Sequence, residues 1–116
     1  MHYRTTDSNP LNRPNQGELL NFINYTKQNN LKIKVATDDK KKTSKVFHKL
    51  NVEPSFVSDD PIEDFKYLSS SVNLFLSNSS YAFWAAMCSK NLNQDTNFFA
   101  TKSWEYEDFI KMNYFE

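Results

Sequence analysis

Three short polar clusters hold the residues most able to do chemistry: His2-Tyr3-Arg4 near the start, Thr37-Asp38-Asp39, and Asn78-Ser79-Ser80. Arg4 offers a planar, permanently charged fork that matches phosphate oxygens. Asn78, Ser79 and Ser80 stand just ahead of a long apolar segment. Free backbone N–H groups and hydroxyls at such a helix start favour an anion. A carboxylate at Asp38 or Asp39 can accept paired N–H bonds from a purine edge. Together the three clusters have the chemistry to hold a nucleoside diphosphate. The chain has one glycine, Gly17. That excludes the glycine-rich phosphate loops, which need several positions without Cβ.

Each cluster also has a purely structural explanation. Asp38, Asp39, Asn78 and Ser79 are good helix caps, and His2 and Arg4 are equally compatible with an ordinary chain terminus. His48 follows Phe47 on a lysine-rich segment and reads as a surface histidine. Asp59-Asp60 precedes Pro61 and reads as a helix start rather than a metal pair. Cys88 lies in an apolar helix without a nearby cation, as expected of an inert buried thiol. Lys40-Lys41-Lys42 reads as a solvated face, and the N-x-S/T matches at Asn24 and Asn78 are expected by chance in so asparagine-rich a chain.

The elements that must position these clusters alternate along the chain. Leu19, Leu20, Phe22, Ile23 and Tyr25 recur at helical spacing from Gly17 to about Gln28, with Asn29-Asn30 as the stop. Leu31, Ile33 and Val35 alternate with lysines and predict a strand ending at Thr37-Asp38-Asp39. A second helix carries Val46, Phe47 and Leu50, and Phe56-Val57 reads as a short strand. Asp60-Pro61-Ile62-Glu63 combines an acidic cap, proline at the first helical position and a carboxylate three residues past the cap. This helix is predicted to turn Ile62, Phe65 and Leu68 inward. Val72 to Leu76 is uncharged and β-prone, as a central strand should be. Tyr81 to Lys90, with Phe83, Trp84, Ala85, Ala86 and Met87, predicts a buried helix. Asn97 to Ala100 reads as a last strand and Glu105 to Tyr114 as a final amphipathic helix with Phe109, Ile110 and Met112. Strand alternating with helix implies an α/β fold, a three-layer Rossmann-like domain with a short parallel sheet. In such sheets ligands lie beyond the carboxyl ends of the strands, where the three clusters fall.

Composition bounds these readings. At 116 residues the chain is one domain, residues 1–116, and its 39% hydrophobic and 16% aromatic content can fill a single core. Fourteen basic and fourteen acidic side chains give zero formal charge, so no global field recommends nucleic acid or an anionic membrane. One cysteine and two histidines supply neither a disulfide nor a zinc set, so no metal site is expected. No segment reads as a signal or membrane span, from which a cytoplasmic location, or one peripheral to the cytoplasmic face of a membrane, is expected.

The order of the clusters resembles a known family. His2-Tyr3-Arg4-Thr5-Thr6-Asp7 looks like the H-x-R-R-x-D signature of GDP-fucose-dependent fucosyltransferases. Val35-Ala36-Thr37-Asp38-Asp39 is similar to their second motif. Asp64 to Ser69, then Leu74 to Ala86, resembles the third motif of the α-1,2 branch: D-x-x-x-(L/M)-S, a strand, and N-S-(S/T)-(F/Y)-S-(F/W)-W-(G/A)-A. Thr101-Lys102-Ser103-Trp104 matches the branch's P-x-x-W without its proline. Two departures are plain: Thr5 stands at the second arginine of the first motif, and Thr6 at the glycine that often follows.

The resemblance implies a donor-binding domain, the C-terminal half of a GT-B-like fold, with the acceptor-side domain absent from these residues. It implies inverting, metal-independent fucosyl transfer to a glycan hydroxyl. The donor substrate is GDP-fucose, no cofactor is needed, and the chain alone is expected to be incomplete as an enzyme. Arg4 would neutralise the β-phosphate of the leaving GDP and His2 would lie against the guanosine. Asp38 or Asp39 would recognise guanine, and Asn78, Ser79 and Ser80 would hold phosphate or ribose. Asp7 and Glu18 are the carboxylates nearest the first motif, and no signature makes either the general base. The glycan acceptor, and any membrane association, would come through a longer parent protein. The alternative is a non-catalytic α/β interaction module or truncated remnant in which the same motifs serve packing.

Overall fold

The computed structural model describes residues 1–5, 9–93 and 95–115. Its strands are β1 (His2–Tyr3), β2 (Ala36–Thr37), β3 (Asn73–Leu76) and β4 (Asn97–Ala100). Its helices are α1 (Gln16–Gln28), α2 (Lys40–Lys49), α3 (Pro61–Ser69) and α4 (Ser80–Leu92), with a 3-10 turn at Pro10–Asn12. All strand pairs are parallel, in the order β2-β1-β3-β4. Two isolated parallel bridges, Val35 with Phe56 and Phe99 with Asn113, add one-residue edges beyond β2 and β4. With those edges the sheet has the segment order of a doubly wound α/β domain.

Strand alternation sorts the core into two faces. Leu74 and Leu76 pack with Leu68 of α3 and with Ala82, Ala85 and Ala86 of α4. Phe75 turns to the other face, where it joins Leu19, Phe22 and Ile23 of α1, Phe47 of α2, and Tyr3. The domain is therefore three layers deep, helices on both faces of the sheet. Local chemistry starts each helix. Asn15 and Glu18 form a reciprocal capping box on α1, and Asp39 accepts from the Lys42 N–H at the start of α2. The Asp60 side chain accepts from Ile62 N, with Pro61 at the first position of α3. Asn30, just past α1, takes the left-handed conformation at φ 54°, a conformation asparagine tolerates.

Four expectations are corrected. The strand expected over Leu31 to Val35 forms later, at Ala36–Thr37, because its partner is β1: His2 pairs with Ala36, Tyr3 with Thr37, and the Ala36 N–H donates to Met1 O. The final helix expected over 105–114 is absent. One turn closes at Tyr106, whose carbonyl accepts from Phe109 and Ile110, and the chain then extends along β4. There the Asn113 N–H donates to Phe98 O and Ala100 N–H to Asn113 O, satisfying edge groups that a helix would leave unpaired. Ile62 faces solvent, 66% exposed, while Asp64 is buried with Leu68. Residues two apart lie on opposite sides of a helix, and those four apart share one. Trp84, expected inside α4, is 59% exposed because Ala82, Ala85, Ala86 and Ser89 form its inward face.

Candidate functional site

A cavity of about 460 Å³ opens beyond the carboxyl ends of β1 and β2. It is lined by His2 and Arg4 from β1 and its exit, Ala36 to Asp38 from β2, and Lys40 from the first turn of α2. Ser58 and Asp59 close one side, and Pro61, Asp64 and Tyr81 bring in the starts of α3 and α4. The volume lies within the range usual for small-molecule sites. Three of the seven residues expected to bind, His2, Arg4 and Asp38, meet here.

His2 lies inside the central strand and is 6% exposed, rather than at a loose terminus. Its ring is 5.2 Å from that of Tyr81, and its Nδ1 is a buried polar atom without a hydrogen-bond partner. Burial pushes its pKa down to about 3, aided by the nearby amino terminus and Arg4 and opposed by Asp38, so the ring is neutral near pH 7. The Arg4 N–H donates to Ser77 Oγ, and Ser77 Oγ donates to His2 O, tying the ends of β1 and β3 together. Thr5 donates to Asp38 Oδ1 through both its N–H and its hydroxyl, each at 2.8 Å. The residue in place of the second motif arginine thus fixes a carboxylate at the cavity wall.

The other expected residues lie elsewhere in the fold. Asp39 caps α2, and Ser79 caps α4 by accepting from Ala82 N at 3.1 Å. Asn78 is buried between loops: its Nδ2 donates to Asn12 Oδ1, and its Oδ1 accepts from the Glu105 N–H. Ser80 is the first residue of α4 and is exposed. None of Asp39, Asn78, Ser79 and Ser80 lines the cavity. Glu18 is buried and structural, its carboxylate accepting from Asn15 N, Lys102 N and the Thr101 hydroxyl. Asp7 lies outside the described residues.

Residues not singled out for binding complete the site. Asp64 is 5% exposed and accepts the Ser58 hydroxyl on Oδ1 at 2.6 Å. The Tyr81 hydroxyl donates to Pro61 O, and burial together with the Asp64 and Asp60 carboxylates pushes its pKa up to about 12. Lys40 pairs with Asp59 at the rim and lies over the Phe56 ring. Asp64 was visible as the acid opening the D-x-x-x-L-S segment, but the helix phase that buries it was not. The lining side chains include two cations and three carboxylates, so the cavity suits a ligand with an anionic end and N–H or O–H donors better than a simple anion. Among the described residues no three His, Cys, Asp or Glu side chains are placed to hold a metal ion, and no helix is long and apolar enough to cross a membrane.

These features define a parallel-sheet α/β domain with a polar cavity at its strand ends. Comparison of the chain with protein families, curated proteins and solved structures found no match.

Proposed function

We propose that this cavity binds a nucleoside diphosphate sugar, GDP-fucose in keeping with the motif order. On this reading the chain is the donor-binding domain, equivalent to the C-terminal half of a GT-B-like fold, of an α-1,2-fucosyltransferase-like protein. The observation that carries the proposal is the meeting of His2, Arg4 and Asp38 around one cavity at the strand ends, from segments far apart in the chain. Arg4 and Lys40 supply the positive wall for the diphosphate, with Arg4 stabilising charge as GDP leaves in an inverting displacement. The acceptor, a glycan hydroxyl, would be presented by structure beyond these residues. Helix α4 takes no part in phosphate binding on this reading, since Asn78 and Ser79 are engaged within the fold.

Thermal-shift titration tests this. Millimolar GDP is expected to raise the melting temperature of the wild type more than UDP does, and Arg4→Ala to abolish the rise. An equal rise in the variant, or none in the wild type, sinks the proposal.

A second reading, an interaction module, draws on a different observation. Trp84 and Phe109, 59% and 63% exposed, flank Phe83 with ring centroids at 5.1 and 5.8 Å. Such exposed aromatic pairs are enriched where proteins meet. Sedimentation velocity separates the two readings: self-association that Trp84→Ser removes supports the module, and a monomer at all concentrations counts against it.

A further inference from the structure

We propose that the outer face of α2 docks this domain on an anionic lipid surface, a role apart from the strand-end cavity. The zero formal charge of the chain conceals an uneven distribution. Helix α2 carries Lys41, Lys42, Lys45 and Lys49, all exposed, and no carboxylate. At 3.6 residues per turn the four fall within about a third of the helix circumference, opposite the buried Thr43 and Phe47. Helix α1 covers the same face of the sheet and adds exposed Lys27, while its one acid, Glu18, is buried. The exposed acids Glu63, Glu105, Glu107 and Asp108 belong to α3 and to the turn whose Tyr106 stacks on Phe83 of α4, in the opposite layer. Asp39 caps α2, Asp59 pairs with Lys40 and Glu53 with His48. Among the described residues no carboxylate pairs with Lys41, Lys42, Lys45 or Lys49.

This placement works against the helix itself. Lys40, Lys41 and Lys42 fill the first turn of α2, where the macrodipole disfavours cations and where α1 and α3 carry acids. Like charges four residues apart, at Lys41, Lys45 and Lys49, add repulsion. An external anionic surface offsets both. The chemistry of the face selects among anionic partners. Its cations are all lysine, compact charges on flexible stems that suit a fluid layer of phosphate headgroups. A nucleic acid is held better by the planar fork of arginine and by stacking aromatics, and α2 exposes no Arg, Phe, Tyr or Trp. The apolar side of α2 is packed into the core through Phe47, so the helix does not insert and the attraction is electrostatic.

Co-sedimentation tests the assignment, with vesicles of phosphatidylcholine alone and of phosphatidylcholine mixed with phosphatidylserine. The wild type should bind the mixed vesicles and not the neutral ones. Raising the ionic strength from about 0.1 M to about 1 M, which shortens the screening length from about 10 Å to about 3 Å, should release it. Lys45→Gln should weaken binding about fivefold, and the triple variant Lys41→Gln, Lys45→Gln, Lys49→Gln about a hundredfold, at roughly fivefold per lysine. Lys90→Gln, an exposed position on α4 in the opposite layer, should bind as the wild type does. Each variant should melt with the wild type, so that a loss of binding reports the face and not the fold. Equal binding to neutral vesicles, binding that persists at high salt, or no binding at all would overturn the proposal. So would equal losses in Lys90→Gln and Lys45→Gln. Retention on immobilised polyuridylate without vesicle binding would give the face to nucleic acid and overturn it as well. None of these outcomes bears on GDP, so the nucleotide reading stands or falls by its own titration.

Discussion

The ends of β1 and β3 lie side by side in the sheet and carry similar polar residues, yet the fold uses them in opposite ways. Past β3, Ser77, Asn78 and Ser79 are all buried, and each has partners within the chain: His2 O, Asn12 and Glu105, and Ala82 N. At β1, His2 is equally buried but keeps an unpartnered Nδ1 beside an open cavity. The comparison teaches that polar residues at a strand end do not make a site. What distinguishes the β1 end is hydrogen-bonding capacity left unfilled beside an open cavity, since Arg13 Nη1 and Trp104 Nε1 are also buried without partners but do not line it.

The largest effect that would break this contrast is the response to acid. His2 has a folded pKa near 3 against about 6.5 unfolded, so the unfolded chain takes up the proton first. The His2 contribution to stability is full above pH 6.5 and is lost as pH drops toward 3, by up to about 1.4 kcal/mol per pH unit. The Met1 amino group, pushed down to about 5 by burial, adds a slope of the same sign between pH 8 and 5. Urea denaturation of wild type and His2→Phe at pH 7, 5.5 and 4 isolates the histidine. The variant should lose less stability on acidification, and parallel pH curves would remove His2 as the cause.

Next in size is Asn78→Ala. Losing the amide strands the Glu105 N–H and the Asn12 side chain, for a destabilisation of about 2 kcal/mol. GDP binding by the folded variant should be unchanged, and a large loss of affinity would return the β3 end to the ligand site. Ser79→Ala removes the α4 cap and should cost about 1 kcal/mol in chemical denaturation. The smallest effect is expected of Lys40→Ala. Its pairing with Asp59 is at the surface and contributes less than about 1 kcal/mol. A GDP affinity that falls with little change in melting temperature would sharpen the distinction between groups that hold the fold and groups that face the ligand.

Much of the fold was legible because its signals are local. The start of α3 is written in Asp60 and Pro61, which satisfy or omit N–H groups within one turn. Strand β4 has the bounds read from residues 97–100, and the uncharged run ending at Leu76 is β3. The errors share one cause, a partner distant in sequence. The alternation of Leu31, Ile33 and Val35 survives in their burial, but only pairing with His2 and Tyr3 decides where β2 begins. Ile110 and Met112 are buried while Phe109 is exposed, a period-two spacing that suits extended chain rather than a helix, and β4 presents an open edge that Asn113 fills in that form.

For the candidate site the division is similar. Arg4, His2 and Asp38 were visible as residue types at strand ends, whereas Asp39 and Ser79 took their structural alternative as caps. Asp64 shows where pattern alone stops. Its motif was readable, but its burial depends on α3 packing with the Asp64–Leu68 side inward, and its pairing on Ser58 in the preceding loop.

The sequence alone thus determined the alternation of strand and helix, the helix caps, and the residue types near the strand ends, since each depends on neighbours within a turn or two. Tertiary structure alone decided which of those polar residues are satisfied within the fold and which face an open cavity. That outcome depends on strand order and helix phase, which bring segments distant in the chain to within hydrogen-bonding reach.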